Sequence, residues 1–267
     1  MRQFVWCLVA LLSATTTASA APITIDNFNH EGGLNGSGIQ VNGSTPTAGV
    51  TDSNLTNLFL GGSRVTSLTA QSVIGNGTGT LSINGGKLQY TSGNINNNAV
   101  NGLFSLTYSG SPGFPANFSA NTGVSIDIHS HNNPGAAGPT SFTFELTDSN
   151  GNIYSATQSV AGNINPPDPT LDFLFSSFSG GPNPLLLNSI VQVKLIVDPG
   201  LGTNMQIESL GTYGNSGGGG GGGGGSGSGD PDVVPEPASL VAFGVLAVSG
   251  LLVARRRKAK AAAQAAE

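Results

Sequence analysis

Apolar and polar residues alternate in many short runs between residues 21 and 214, and this period of two constrains the fold more than any other feature of the sequence. Successive side chains of a β-strand point to opposite faces of a sheet, so each run predicts a strand with one apolar face. No run has the spacing of an amphipathic helix, and glycine or proline interrupts every long apolar stretch. The residues predicted to face the core are Leu81, Ile83, Leu88, Tyr90, Phe104, Leu106, Tyr108, Val124, Ile126, Ile128, Phe142, Phe144, Leu146, Leu171, Phe173, Phe175, Val191, Val193, Leu195, Val197, Met205 and Ile207.

Turn residues separate these runs and indicate how neighbouring strands are connected. In "SINGGKLQY" two alternating runs flank a pair of glycines that tolerate positive φ, which predicts a tight β-hairpin. Antiparallel strands that each bury one face must cover that face with a second sheet, so a sandwich or a barrel is required. We therefore expect an all-β fold, a single antiparallel β-sandwich of the jelly-roll type over residues 21–214. A pair of smaller sandwiches is disfavoured because no linker-like break divides this region.

Residues 1–20 have the layout of a secretory signal peptide, with Arg2 before a short apolar stretch and small residues at the end. The apolar stretch is too short to cross the hydrocarbon core of a bilayer, so we expect cleavage after Ala20 rather than a retained anchor. Cleavage removes Cys7 and Trp6, the single cysteine and the single tryptophan of the sequence. The exported protein would therefore have no disulfide and no thiol chemistry.

Residues 21–237 are strongly acidic, with three basic residues against thirteen acidic ones and hence a formal net charge of −10. Proteins bind nucleic acid largely through lysine and arginine, which displace counterions from the phosphate backbone. The composition therefore argues against a nucleic-acid partner. The three basic residues are Arg64, Lys87 and Lys194.

The stretch "SIDIHSHNN" contains the candidate metal ligands of the sequence. If the strand alternates without interruption, Asp127, His129 and His131 point to one face and could meet at a transition metal. Alternatively, these three residues bind no metal and simply form the solvent-facing side of a half-buried strand. Residues two apart on a strand are separated by about 6.6–7 Å, a wide spacing for ligands of one ion. We expect this alternative, and hence no metal site.

The stretch "DSNGN", from Asp148 to Asn152, places oxygen-bearing side chains at alternate positions, as calcium loops do. It lacks the following glycine and the late bidentate glutamate of an EF-hand. Aspartate, asparagine and glycine are also the residues that a tight turn requires. We expect no cofactor, and the alternative is a structural calcium ion elsewhere in the sandwich, bound by backbone oxygens.

No arrangement of residues in the sequence predicts catalysis. Glycoside hydrolysis needs two carboxylates that flank one sugar bond, and nothing in the spacing of the available carboxylates pairs them. No serine nucleophile stands in the strand, turn and helix setting that hydrolases use. The available carboxylates are Asp127, Glu145, Asp172 and Glu208.

Sugar binding remains possible for this sequence, since it needs only an aromatic platform backed by polar side chains. The candidate platforms are Tyr90, Tyr108, Tyr154 and Tyr213, of which Tyr108 aligns with core positions, or else an exposed phenylalanine.

Two further segments follow the predicted sandwich. Residues 215–234 include nine consecutive glycines and predict a flexible linker. Residues 238–254 carry no charge and are just long enough to cross a membrane as a helix. The basic cluster that follows consists of Arg255, Arg256, Arg257 and Lys258. Such a cluster favours the cytoplasmic side, which leaves residues 259–267 inside the cell and the sandwich outside.

Pro235, Glu236 and Pro237 stand directly before this apolar segment. A Pro-Glu-Pro motif, an apolar helix and an arginine-rich end, in this order, resemble the PEP-CTERM sorting tail of Gram-negative bacteria that make extracellular polysaccharide. The resemblance covers residues 235–258. It implies that an exosortase, a membrane-embedded processing enzyme, recognises the motif. The chain would then be held transiently in the inner membrane and passed to the cell surface or the extracellular matrix.

The predicted sandwich resembles galactose-binding-like jelly rolls in its strings "ITIDNF", "GGSR" and "IVQVKLIVD". Together with the tail, this resemblance predicts an exported, non-catalytic protein of the cell surface or biofilm matrix with a structural or adhesive role. An alternative prediction for the function is a carbohydrate-binding module for exopolysaccharide. A third, less favoured prediction is a polysaccharide-processing enzyme.

Overall fold

The computed structural model describes seven stretches of the chain, which together contain most of the predicted sandwich. They are residues 21–29, 32–55, 62–94, 98–110, 116–133, 138–163 and 169–214. The predicted signal peptide, the glycine-rich linker, and the sorting tail with its Pro-Glu-Pro motif and basic cluster lie outside the described residues. Those assignments stay predictions.

Fifteen β-strands and three short 3-10 helices make up the described stretches. The strands are β1 (Thr24–Asp26), β2 (Ile39–Val41), β3 (Thr47–Leu55), β4 (Gly62–Ile74), β5 (Gly79–Asn84), β6 (Lys87–Thr91), β7 (Gly93–Asn94), β8 (Asn98–Gly110), β9 (Gly123–Asn132), β10 (Thr140–Asp148), β11 (Ile153–Val160), β12 (Thr170–Leu174), β13 (Ser179–Gly180), β14 (Ile190–Asp198) and β15 (Asn204–Tyr213). The 3-10 helices are Gly32–Leu34, Phe175–Ser177 and Leu187–Ser189. Within the described part of the chain, no helix is of the length and apolar character needed to span a membrane.

These strands form two sheets whose apolar faces share one core. One sheet has seven strands in the order β12, β9, β15, β6, β5, β2, with β1 paired to β15. The other has eight strands in the order β13, β11, β10, β14, β8, β4, β3, with β7 paired to β8. Every pair of neighbouring strands in these two orders is antiparallel. The prediction of an antiparallel β-sandwich is therefore confirmed for the described residues.

The predicted alternation places the core side chains correctly along most strands. Phe142, Phe144 and Leu146 of β10 are fully buried, while the residues between them are partly exposed. The hairpin between β5 and β6 is also confirmed. Its two turn residues, Gly85 and Gly86, have φ of 58° and 72°, as a type I′ turn requires.

The predictions were wrong at two of the β-bulges, where an extra residue interrupts the alternation. In β14 the register with β10 shifts at Val191, so Ile190 is buried in place of Val191. In β9 the register with β15 shifts at His129, which brings His131 to the buried face. A bulge adds one residue to a strand and so reverses the faces that the residues beyond it occupy. Leu171, on the edge strand β12, is only half-buried.

The first and last strands of the sandwich lie side by side. The Ile23 N–H donates to Thr212 Oγ1 (2.9 Å), and the Thr212 N–H donates to the Ile23 carbonyl oxygen (2.8 Å). The Tyr213 carbonyl oxygen accepts a hydrogen bond from the Thr122 N–H (2.7 Å). Both ends of the described chain therefore lie at the same end of the seven-stranded sheet, beside the start of β9.

A buried ion-pair cluster joins the two sheets. Arg64 of β4 is fully buried, and its Nη1 donates to Asp26 Oδ2 of β1 (2.9 Å). Arg64 Nη2 donates to Asp52 Oδ2 of β3 (3.0 Å). The Tyr108 hydroxyl of β8 donates to Asp26 Oδ2 (2.9 Å). Because Asp26 belongs to the seven-stranded sheet, whereas Arg64, Asp52 and Tyr108 belong to the eight-stranded sheet, the cluster ties one sheet to the other.

Backbone N–H groups complete the hydrogen bonding of both carboxylates. The Phe28 N–H donates to Asp26 Oδ1 (2.7 Å), and the Gly33 N–H donates to Asp52 Oδ1 (2.6 Å). Phe28 adopts a φ of 52°, a conformation that few residues other than glycine take up. Gly32 has a φ of 54°, and a Cβ there would lie 2.4 Å from Asp52 Oδ1. The cluster therefore also fixes the segment that follows β1.

Arg64 and Tyr108 both keep their protons in this cluster. Burial lowers the pKa of Arg64, but Asp26, Tyr108 and Asp52 together raise it further, so that it lies above its usual value. Burial, followed by the charge of Asp26, raises the pKa of Tyr108 well above its usual value. The guanidinium therefore stays charged, and the phenol stays protonated as a donor.

We expect Arg64→Met to lower the free energy of unfolding by about 3–5 kcal/mol, because it leaves two carboxylates buried without a cation. Lys194→Met is the matched control. The ion pair of Lys194 with Glu145 is partly exposed, and its loss should change the same free energy by at most about 1 kcal/mol. Urea unfolding at neutral pH, followed by tyrosine fluorescence, measures both variants. Equally small losses for the two would show that the cluster does not stabilise the sandwich.

Candidate functional site

The outer face of the seven-stranded sheet carries a row of hydrogen-bonded polar side chains. Asp127 of β9 pairs across the sheet with Thr170 of β12 and with Ser209 of β15. Its Oδ1 accepts a hydrogen bond from Thr170 Oγ1 (2.9 Å), and its Oδ2 accepts one from Ser209 Oγ (2.5 Å). Both carboxylate oxygens of Asp127 are therefore fixed in position on a partly exposed surface.

A second carboxylate, Asp172, lies beside this row. It stands on β12, directly opposite Ser125 of β9, and its side chain is exposed at the same outer face. Partial burial of the carboxyl group, followed by the negative charge of Asp127, raises the pKa of Asp172. The two carboxylates therefore interact, and Asp172 takes up a proton more readily than an isolated aspartate does.

Tyr213, at the end of β15, packs over Gly123 of β9. A Cβ at Gly123 would lie 2.6 Å from Tyr213 Oη and 2.7 Å from its Cε1, so the ring fills the space of the missing side chain. Leu174 of β12 stands on the other side of Gly123 and is 48% exposed. Tyr213 and Leu174 thus form an apolar surface beside Asp127 and Asp172. We call these four residues the Tyr213 face.

The Tyr213 hydroxyl is itself unusual. Its Oη is buried and has no hydrogen-bond partner among the described residues. Partial burial, followed by the charge of Asp172, raises the pKa of Tyr213. The hydroxyl therefore stays protonated near neutral pH.

Three of the four tyrosines considered as sugar platforms are excluded by burial. Tyr90 and Tyr108 are fully buried, and Tyr154 is 2% exposed. The placement of Tyr108 in the core confirms the prediction from its alternation. Tyr213 is partly exposed, so the fold leaves it as the one tyrosine of the four that a ligand can reach.

The candidate metal ligands are not brought together. The bulge at His129 turns His131 toward the core, where it is 1% exposed, while Asp127 remains on the outer face. The expectation that all three share one face was therefore wrong for His131. No group of three or more potential metal ligands occurs in the described stretches.

His131 belongs instead to a buried polar network. Its Nε2 lies 2.7 Å from Thr140 Oγ1, which donates to the Pro199 carbonyl oxygen (2.8 Å). Since Pro199 accepts the single hydroxyl hydrogen of Thr140, we assign His131 Nε2 as the donor of the pair. Burial lowers the pKa of His131 more than a backbone interaction with Gly162 raises it. The ring is therefore neutral at pH 7.

The segment considered for calcium is a tight turn that satisfies its own carboxylate. Asp148 is fully buried, and its Oδ1 accepts hydrogen bonds from the N–H groups of Asn150 (2.9 Å) and Asn152 (3.0 Å). Asn152 Nδ2 donates to the other oxygen, Oδ2 (3.2 Å). Both carboxylate oxygens of Asp148 are therefore engaged within a tight turn, the structure that these residue types also predicted.

Of the four carboxylates considered for catalysis, the structure brings one pair together. Glu145 and Glu208 each lie beside a lysine, at 3.1 and 3.7 Å, whereas Asp127 and Asp172 share the Tyr213 face. The sequence did not indicate this pair because β9 and β12 are neighbours in the sheet but not along the chain. Neither did it indicate Gly123, whose lack of a side chain makes room for the tyrosine ring.

Comparisons with known proteins find only distant structural likenesses. No family model matches the chain, and no curated protein matches it. The family 11 carbohydrate-binding module of the cellulosomal cellulase Lic26A-Cel5E of Clostridium thermocellum is 16% identical, with a TM-score of 0.34 over 73% of this chain and 95% of the module. The family 29 carbohydrate-binding module CBM29-2 is 13% identical, with a TM-score of 0.29 over 73% of this chain and 92% of the module. An exo-β-agarase is 12% identical, with a TM-score of 0.36 over 72% of this chain and 25% of the enzyme. Likenesses this weak do not assign a function to the chain.

We expect the free energy of unfolding to decrease as the pH falls below about 6.5, because the pKa of His131 is lower in the folded than in the unfolded chain. Above that pH the ring is neutral in both states. Below it, the unfolded chain binds a proton that the buried ring resists. His131→Gln, whose amide can donate to Thr140, should flatten this dependence. Urea midpoints between about pH 7.5 and 5.5 measure it, and a flat wild-type curve would contradict the assignment.

Proposed function

We propose that this chain is an exported, non-catalytic protein of the bacterial cell surface or extracellular matrix, and that its β-sandwich binds polysaccharide there in a structural or adhesive role. The observation that carries the proposal is the Tyr213 face. On it an accessible tyrosine and an exposed leucine adjoin two carboxylates on a sheet.

Sugar rings present two kinds of surface, and the Tyr213 face has a counterpart for each. The C–H groups of a pyranose pack against apolar side chains, here Tyr213 and Leu174. Sugar hydroxyls donate hydrogen bonds to carboxylates, here Asp127 and Asp172. Because hydrogen-bonded strands hold these groups in place, little conformational entropy is lost when a ligand binds.

The placement of the carboxylates favours binding over hydrolysis. A glycosidase has its two carboxyl groups flanking the scissile bond. Asp127 and Asp172 instead stand on one surface of adjacent strands, and both oxygens of Asp127 already accept hydrogen bonds. Polysaccharide processing is the second candidate, favoured by the raised pKa of Asp172, since a general acid requires such a shift. Asp172→Asn separates the two, because it abolishes polymer cleavage by an enzyme but only weakens retention by a binding protein.

The C-terminal tail is the basis for the proposed location at the cell surface or in the matrix. Pro235, Glu236 and Pro237 resemble the PEP-CTERM motif, and an exosortase cuts the chain near them after export across the inner membrane. Residues 215–234 then separate the folded sandwich from the cut.

The intact mass of the protein recovered from the host's surface or medium tests the sorting. We expect a chain that begins near Ala21 and ends near Pro237. Glu236→Ala should accumulate uncut, whereas Glu208→Ala, a substitution on the sandwich, should be cut normally. The sorting proposal would be contradicted if the wild-type protein retained residues 238–267 and were found only in the inner membrane.

Glycan-array screening followed by calorimetry tests the binding. We expect Tyr213→Ala to weaken binding of the best oligosaccharide at least tenfold, about 1.4 kcal/mol, because it removes the apolar platform. Gly123→Ala should act in the same direction, since its Cβ would meet both the Tyr213 ring and the backbone carbonyl oxygen of Phe173. Ile153→Ala is the control, an exposed apolar residue on the other sheet. If no oligosaccharide binds, or if all three variants bind like the wild type, the proposal fails.

A further inference from the structure

The outer face of the eight-stranded sheet is a lattice of hydroxyl groups. Serine and threonine occupy most outward positions of β4, β8, β10 and β11. Neighbouring strands place these hydroxyls opposite each other, and several are hydrogen-bonded across the sheet. The bonded pairs are Ser63 with Ser109 (3.1 Å), Ser67 with Ser105 (2.8 Å) and Thr143 with Thr157 (2.8 Å).

A cavity of about 120 Å³ opens in this face. Its lining includes Ser67, Thr69, Leu103, Ser105, Lys194 and Ile196. Three of these side chains carry hydroxyls and two are aliphatic, so hydrogen-bonding groups and apolar surface occur together. The one charged side chain of the six, Lys194, is held by Glu145 at 3.1 Å. The lining is therefore close to neutral.

This combination complements one unit of a neutral polysaccharide. The aliphatic side chains of Leu103 and Ile196 suit the C–H surface of a pyranose, and the serine and threonine hydroxyls suit its hydroxyls. The neutralised lysine offers no net attraction to an acidic sugar. In addition, a body with a formal charge of −10 repels polyanions at long range.

We infer that this cavity is a second sugar-binding site, so that the sandwich binds polysaccharide on both outer faces and cross-links two polymer chains. The inference rests on the proposed function for the Tyr213 face and adds a site to it. The two faces belong to different sheets and point away from a shared core. A polymer segment bound on one face does not reach the other, so two sites engage two segments.

Stoichiometry is the primary test. The protein is recovered from its host, and the neutral oligosaccharide that binds best on the array serves as the calorimetric probe. We expect two oligosaccharides per chain for the wild type. We expect one for Ser67→Phe, whose ring fills the cavity, one for Tyr213→Ala, and none for the double variant. Ser63→Phe is the matched control, on the same strand and in the same lattice, and should retain two.

Cross-linking is the second readout. The wild type should gel or precipitate the corresponding long polymer, and either single variant should bind it without doing so. One oligosaccharide per wild-type chain, with Ser67→Phe unchanged, would overturn the second site and leave the proposed function standing. Absence of binding by every form would overturn the proposed function itself. Ser67→Ala, which removes one hydroxyl without filling the cavity, should weaken the second site only, and keeps the test valid if Ser67→Phe misfolds.

Discussion

The ion-pair cluster around Arg64 is the interaction on which the rest of the sandwich depends. The acidic body has three basic residues, and one of them is placed entirely inside the core. Apolar side chains of similar volume are often as stabilising as a buried ion pair, so net free energy does not by itself explain the guanidinium. Arginine does offer several donors in one rigid plane. It can meet Asp26 and Asp52 together only when β1, β3 and β4 are correctly aligned, and we infer that this alignment is its role.

Strand β15 links this buried alignment to the outer surface of the sheet. Strand β1, which carries Asp26, pairs with β15 at Leu210 and Gly211. The residues on either side of that pairing, Ser209 and Tyr213, point outward on the same strand and contribute to the polar row and the Tyr213 face. A buried contact and an exposed binding surface therefore share one strand. Errors in pairing at the core would displace the candidate ligand contacts as well.

The sequence predicts the parts of this structure that depend on period and local turn chemistry. The strand faces, the glycine hairpin and the turn at Asp148 follow from neighbouring residues alone. Bulges do not, because the extra residue at His129 is fixed by its partner strand β15 and leaves no mark in the alternation. The Arg64 cluster and the Asp127 and Asp172 pair also depend on long-range contacts. The strings "ITIDNF" and "GGSR" contain Asp26 and Arg64, yet nothing local indicates that the two meet.

The two proposed sites, one with a partly exposed tyrosine and one with a cavity of about 120 Å³, suit weak rather than tight binding. Weak sites suit a matrix protein, because a polymer presents the same unit many times and a second attachment becomes intramolecular. Effective concentrations in the millimolar range then convert modest affinities into durable retention, while single contacts still exchange. Tight binding at one site would hold one polymer segment and connect nothing. The organisation of polysaccharide proposed above therefore requires two opposed binding faces, and the two sheets supply them.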